Sequence, residues 1–188
     1  NLNKKIDDKL TTINNKVLRK LNISDCEKAL IDYALYINKI MIVGNESEKA
    51  KLFKPISFNE QILKDYAQLY IKRFSPSLSR NGKKFIVEIW YTKQIIGMFF
   101  KVIPAEEFIE DIKLENQQNK SNIINFIAKL GTGQITKKLF VQKDVRGFEK
   151  DYFYIFKPNE KRLWHKAIGY LDVNEFADAI LKAGRDSK

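Results

Sequence analysis

The chain has 188 residues, of which 44% are hydrophobic and 12% aromatic, a composition typical of a folded domain and not of a disordered segment. The single cysteine, Cys26, excludes an internal disulfide, and no run reaches the roughly 18 uncharged apolar residues of a membrane span, so we expect a soluble, cytoplasmic protein without a membrane partner. Lysine and arginine number 34 against 23 aspartate and glutamate, and the resulting charge of +11 favours a polyanionic partner such as nucleic acid. The alternative is that an AT-rich genome enriches lysine without functional meaning.

The first part of the chain has helical periodicity. Apolar residues recur at intervals of three and four over residues 4–21 and again over 25–41. Ser24 followed by Glu27 has the spacing of a capping box, which predicts that the second helix begins there.

A third helix is predicted over residues 58–74, opened by a capping box of Ser57 with Glu60. The polar stretch at 44–51 before it is interpreted as a hinge. Turn-forming residues follow from Pro76 onward and end this helix.

The period then changes from helical to strand-like. Residues 85–91 alternate between the two faces of a strand, and 95–103 form a second β-rich run after a short polar turn, which predicts an antiparallel hairpin. The acidic stretch near 106–119 is predicted to be a mobile loop around a short helical turn.

Four more elements are predicted in the last part of the chain. They are a helix at 123–130, strands at 139–145 and 152–156, and a final helix opened by a capping box of Asp172 with Glu175.

Together these elements predict an α+β fold with N-terminal helices, an antiparallel sheet of four to five strands and a closing C-terminal helix. We interpret residues 1–22 as a helical connector and 23–188 as a single α+β domain. Because the sequence begins with Asn1 and not with methionine, we expect that the chain is either processed or a piece of a longer protein that continues upstream.

Catalytic and metal-binding patterns are missing from the sequence. His165 is the only histidine and Cys26 the only cysteine, which excludes histidine-pair and cysteine-cluster metal sites. We therefore predict no metal, no cofactor, no catalytic residue and no enzymatic activity for this chain. Another hypothesis is a nuclease with an unrecognised site, since Glu88 and Lys93 lie in the predicted hairpin. Their spacing differs from that of the usual acidic-x-lysine pair of nucleases.

The richest segment combines aromatic and basic residues between 137 and 166. Such a combination is suited to phosphate contact and base stacking, so these residues are predicted to bind nucleic acid: Lys137, Lys138, Lys143, Arg146, Lys157, Lys161, Arg162, Trp164, His165 and Lys166. The alternative is structural, with Tyr152, Tyr154 and Phe156 forming one core face and Trp164 packing against the closing helix.

Part of this segment resembles the extreme C-terminus of N6-adenine DNA methylases and related restriction and phage-defence proteins. The similarity is carried by Tyr154-Ile155-Phe156-Lys157-Pro158, Arg162-Leu163-Trp164, Ala167 and Leu171-Asp172. Near the start, Leu21-Asn22-Ile23-Ser24 and Glu27-Lys28-Ala29-Leu30-Ile31 are similar to the helix that follows the catalytic part of those methylases.

The resemblance implies a tail domain behind a modification enzyme or a defence protein, with an adenine-specific DNA methyltransferase as one identity of the full-length protein. The chain itself has neither the Asn/Asp-Pro-Pro-Tyr/Phe motif nor a glycine-rich cofactor loop, so methyl transfer is not assigned to it. We expect a non-catalytic accessory domain that contacts the DNA backbone, with an upstream catalytic domain or subunit as its partner. The alternative is a protein-interaction module of a defence complex, whose acidic loop 106–119 meets a basic partner.

Overall fold

A computed structural model describes residues 2–117, 125–126 and 144–186. Contacts divide the chain into two compact units, Asn1–Val43 and Gly44–Lys188. The boundary between the units follows the second helix, whereas the predicted connector ends at residue 22.

The first unit consists of helices α1 (Leu2–Lys20) and α2 (Asp25–Val43). The predicted capping box is present, because Ser24 N donates to Glu27 Oε2 at 2.9 Å and Glu27 N donates to Ser24 Oγ at 3.2 Å. Lys28 of α2 donates to Asn15 of α1 at 3.0 Å. The apolar stripe of α1 stays about half exposed; its members are Ile6, Leu10, Ile13, Val17 and, just beyond the helix, Leu21.

The predicted polar hinge at 44–51 is wrong, because most of it forms helix α3 (Glu46–Leu52). The side chain of Asn45 accepts from Glu48 N, and that of Glu48 accepts from Asn45 N, both at 3.0 Å. This reciprocal capping allows a very short helix to form in a polar sequence.

Helix α4 (Gln61–Leu78) begins later than the sequence predicted. Ser57 N does donate to Glu60 Oε1 at 2.9 Å, but this contact closes a turn that precedes the helix. A short 3-10 helix, Ser79–Asn81, and Gly82 in a left-handed conformation, with φ of 63°, then lead into the sheet.

The sheet has five strands in the order β3-β1-β2-β5-β4. Their bounds are β1 Lys83–Tyr91, β2 Ile95–Pro104, β3 Ile112–Asn116, β4 Val145–Phe148 and β5 Tyr152–Pro158. The predicted hairpin of β1 with β2 is confirmed, and β5 pairs antiparallel with both β2 and β4.

Strand β3 corrects two predictions, because it lies within the supposed acidic loop and it runs parallel to β1. Strand β2 ends at Pro104, beside Lys83 at the beginning of β1. The chain then passes this end of β1 to its other edge, where β3 runs in the same direction as β1. The crossing is fixed by hydrogen bonds from Ala105 N to Gly82 O, at 2.9 Å, and from Val87 N to Asp111 O, at 2.8 Å. The sheet is therefore mixed and not fully antiparallel.

Helix α4 and the C-terminal helix α5 (Lys166–Asp186) cover one face of the sheet. Phe85, Phe100 and Phe153 lie on that face, and the rings of Tyr70 and Phe100 stack with their centroids 3.9 Å apart. The opposite face carries a second cluster of Phe99, Val145, Tyr154 and Phe156. The α+β class is thus confirmed.

The predicted capping box of Asp172 with Glu175 is wrong, because α5 already begins at Lys166. Asp172 lies inside the helix and is buried, and Glu175 pairs with Arg146. The predicted elements at 123–130 and 139–145 lie almost entirely outside the described residues. None of the helices that the structure describes has the length and apolar character needed to cross a membrane.

Candidate nucleic-acid interface

Two of the predicted nucleic-acid contacts, Lys157 and Trp164, are buried. Lys157 is 2% exposed and Trp164 is fully inaccessible to solvent. The indole Nε1 of Trp164 donates to Pro158 O at 3.0 Å, which satisfies its one donor inside the protein. Neither side chain is placed to reach a phosphate or a base, and both are part of the interior.

Lys157 belongs to an ion cluster made of Tyr66, Arg146, Lys157 and Asp172, in which Arg146 is partly exposed and the other three are buried. The ammonium of Lys157 and the hydroxyl of Tyr66 both donate to Asp172 Oδ2. Burial lowers the pKa of Lys157, and the attraction of Asp172 opposes that shift. Burial also raises the pKa of Tyr66 well above its usual value of 10.0, with the neighbouring Asp172 acting in the same direction.

Arg146 is likewise unsuited to phosphate contact, because three carboxylates hold its guanidinium. It pairs with Asp144 at 2.6 Å and also with Asp172 and Glu175. Burial acts to lower the pKa of Arg146, but these carboxylates outweigh burial and raise it. A phosphate would have to displace carboxylates that already satisfy the charge.

The resemblance described above is carried largely by this interior. Lys157, Trp164, Ala167 and Asp172 are all buried. They belong to β5, to the 3-10 turn Lys161–Trp164 and to α5. These residues therefore maintain the fold and do not form a surface.

The remaining predicted residues that the structure describes lie at the surface, in the 3-10 turn and at the start of α5. Lys161 pairs with Glu60 at 3.2 Å, and Arg162 pairs with Glu160 at 2.8 Å. Lys166 is exposed, with its ammonium over the ring of Tyr170 at 5.7 Å. The predicted residues Lys137, Lys138 and Lys143 lie outside the described residues.

His165 has a structural role at the beginning of α5. Its Nδ1 accepts a hydrogen bond from Ala167 N at 3.1 Å, in the manner of a helix N-cap. The side chain is half-buried, so it borders the surface without being fully presented to a partner.

The structure adds three residues that the sequence reasoning missed: Lys51, Phe53 and Lys54. Lys161 N donates to Lys54 O at 2.9 Å, and the Arg162 guanidinium lies 4.7 Å from the centre of the Phe53 ring. These contacts bring the end of α3 against the 3-10 turn. The Asn45 and Glu48 capping pattern was the available signal, because it identifies the beginning of the short helix that precedes these residues.

Lys51, Lys54, Lys161, Arg162 and Lys166 form what we call the basic surface. Two acidic residues, Glu60 and Glu160, pair with members of it. Among the described residues, no carboxylate forms an ion pair with Lys51, Lys54 or Lys166. The basic surface therefore keeps an excess of positive charge, and the amino end of the α5 dipole lies beside it.

The nuclease hypothesis places Glu88 and Lys93 near a metal ion. Glu88 instead pairs with Lys101 and accepts a hydrogen bond from Trp90 Nε1 at 2.8 Å. Burial acts to raise the pKa of Glu88, but the contacts with Lys101 and Trp90 lower it overall. No group of three or more potential metal ligands was found in the part of the chain that the structure describes.

Comparisons with known proteins identify no relative, since no family model, no curated protein and no solved structure matches the chain.

Proposed function

We propose that this chain is a non-catalytic accessory domain of a DNA modification, restriction or phage-defence protein, and that it binds the phosphate backbone of nucleic acid. The observation that carries the proposal is the basic surface, where Lys51, Lys54 and Lys166 have no carboxylate partner among the described residues. Unpaired lysines attract phosphates without first losing an internal ion pair. The overall charge of +11 adds a long-range attraction for any polyanion.

The proposal is tested by reversing charge on the basic surface. The variant K51E/K54E/K161E/K166E should bind a fluorescently labelled DNA duplex much more weakly than the wild type at about 50 mM salt. Fluorescence anisotropy measures the affinity, and circular dichroism checks that the variant is folded.

A matched control reverses the same number of charges at the far end of the same domain. Lys72 and Lys182 lie toward the carboxyl ends of α4 and α5, and Lys83 and Lys150 line a groove beside Ile180. The variant K72E/K83E/K150E/K182E has the same net charge as the test variant. An equal loss of affinity in both variants would show that only total charge matters, and the basic surface would lose its role.

A second candidate function is protein interaction through the acidic loop between β2 and β3. Phe108 in this loop is completely exposed, and Glu106, Glu107 and Glu110 surround it at the surface. An aromatic side chain presented among carboxylates fits a basic protein surface with an apolar pocket. This function is tested by co-expressing the chain with the other proteins of its locus and purifying it. A partner that co-purifies with the wild type should not co-purify with F108D. The same substitution should leave DNA affinity unchanged.

A further inference from the structure

Phe53 is an exposed aromatic side chain held in a fixed position within the basic surface. It is 52% exposed, although the neighbouring Leu52 and Ile56 are almost completely buried. Its backbone N–H donates to Ala50 O at 3.2 Å at the end of α3, and Ile56 N donates to the side chain of Asn159 at 2.8 Å. These contacts anchor the main chain on both sides of Phe53, so the ring does not depend on a loose loop for its placement.

Arg162 covers one side of this ring. Its guanidinium lies 4.7 Å from the ring centre. Nε and Nη2 of Arg162 donate to Glu160 Oε2, at 2.9 Å and 2.8 Å, and hold the guanidinium in this position. The cation therefore stabilises the ring in place. Phe53 nevertheless remains 52% exposed.

An exposed, anchored aromatic ring beside lysines is the arrangement on which unpaired bases stack, while the lysines contact the adjoining phosphates. The bases of a duplex are already stacked on one another and present only their edges and the backbone. Lysines alone would bind both forms through their phosphates. The aromatic ring distinguishes between them.

We propose that the basic surface binds single-stranded nucleic acid with an unpaired base stacked on Phe53. Lys51, Lys54, Lys161 and Lys166 contact the phosphates on either side of that base. This inference rests on the proposed function and deepens it, since it names the form of nucleic acid that the domain prefers.

The experiment compares a labelled single-stranded oligonucleotide of about 12 nucleotides with a duplex of the same length, using the full chain and fluorescence anisotropy. The wild type should bind the single strand more tightly. F53A should lower affinity for the single strand by about 5- to 100-fold and leave duplex affinity nearly unchanged. F53W should retain the preference, because an indole stacks at least as well as a phenyl ring.

Phe148 provides the matched control, because it is also 52% exposed but packs beside Phe153 and Phe176, away from the basic surface. F148A should leave both affinities unchanged. If F53A affects both forms equally or neither, while both still bind, the stacking inference is wrong and the proposed function stands. If the wild type binds neither form, the proposed function fails, and the inference fails with it.

Discussion

The ammonium of Lys157 on β5 forms a buried ion pair with the carboxylate of Asp172 on α5. Each side chain is less than 5% exposed. Because Tyr66 of α4 donates to the same carboxylate and Arg146 of β4 pairs with it, Asp172 ties four elements of the domain together. A position that the sequence assigned to a helix cap is in fact a central contact of the interior.

Removal of one partner of this ion pair should destabilise the domain strongly. We expect K157A or D172A to lower the free energy of unfolding by about 3 to 5 kcal/mol, because each leaves a buried charge without its counterion. The double substitution K157M/D172L should cost clearly less than the sum of the two single losses. Urea unfolding followed by circular dichroism measures all three values.

Glu175 serves as the control for that prediction. It also pairs with Arg146, but its side chain is 66% exposed. We expect E175A to change the free energy of unfolding by no more than about 1 kcal/mol, as is usual for an exposed pair. A loss as large as that of D172A would contradict the importance of burial.

The two buried tyrosines near Asp172 predict a loss of stability at high pH. Burial raises the pKa of both Tyr66 and Tyr70 well above 10.0, so the folded state keeps these protons when the unfolded state loses them. The free energy of unfolding should therefore fall as pH rises above about 10, by about 1.4 kcal/mol per pH unit for each phenol. The lowered pKa of Lys157 instead makes the free energy of unfolding rise with pH, but only below about pH 10.4, the pKa of lysine in the unfolded state.

Urea unfolding between about pH 10.5 and 11.5 measures this dependence, because the opposing contribution of Lys157 is then largely complete. Tyr152, Tyr154 and Lys113, whose pKa values are also raised, act in the same direction as the two buried tyrosines. The substitution Y70F removes one of the two phenols and should reduce the slope. An unchanged slope would mean that Tyr70 ionises equally well in the folded state.

Gly97 on β2 lies directly beside Phe156 on β5, and this position has no room for a side chain. A Cβ atom at this position would lie 2.2 Å from the ring of Phe156, which is fully buried and cannot move aside. We expect G97A to destabilise the domain by about 1 to 3 kcal/mol in urea unfolding. Gly184 near the end of α5 is the control, since a Cβ there meets nothing within 4 Å. G184A should be neutral or slightly stabilising, because alanine favours the helix.

Local sequence patterns predicted the elements that depend mainly on neighbouring residues in the chain. They did not predict element bounds and strands that depend on contacts between distant residues. Strands β1 and β2 followed from alternation within one stretch of chain. The start of α5 did not, because its first turns pack closely on α4: a Cβ at Gly169 would lie 2.7 Å from Leu69. Strand β3 was missed because its five residues offer only two alternating apolar positions, Ile112 and Leu114, and its place in the sheet depends on pairing with β1.

The candidate site shows the same division. The sequence recognised a basic and aromatic segment, and Lys161, Arg162 and Lys166 do lie at the surface. It could not tell that Lys157 and Trp164 point inward, because an inward lysine requires Asp172, which lies on another element. Phe53 was missed because its relevance comes from Arg162, a residue more than a hundred positions away in the chain.

Salt dependence distinguishes the surface lysines from the partly buried Arg146. If three to five lysines and arginines of the basic surface contact phosphates, log K for a single strand should fall against log salt with a slope of about −2 to −3.5. K166Q should make that slope shallower by about 0.7, because one fewer counterion is released. R146Q should leave the slope unchanged and lower the free energy of unfolding, since Arg146 neutralises Asp144 and Asp172 inside the domain. The opposite pattern, with R146Q altering the slope and K166Q without effect, would place the nucleic acid on the Arg146 side of the domain.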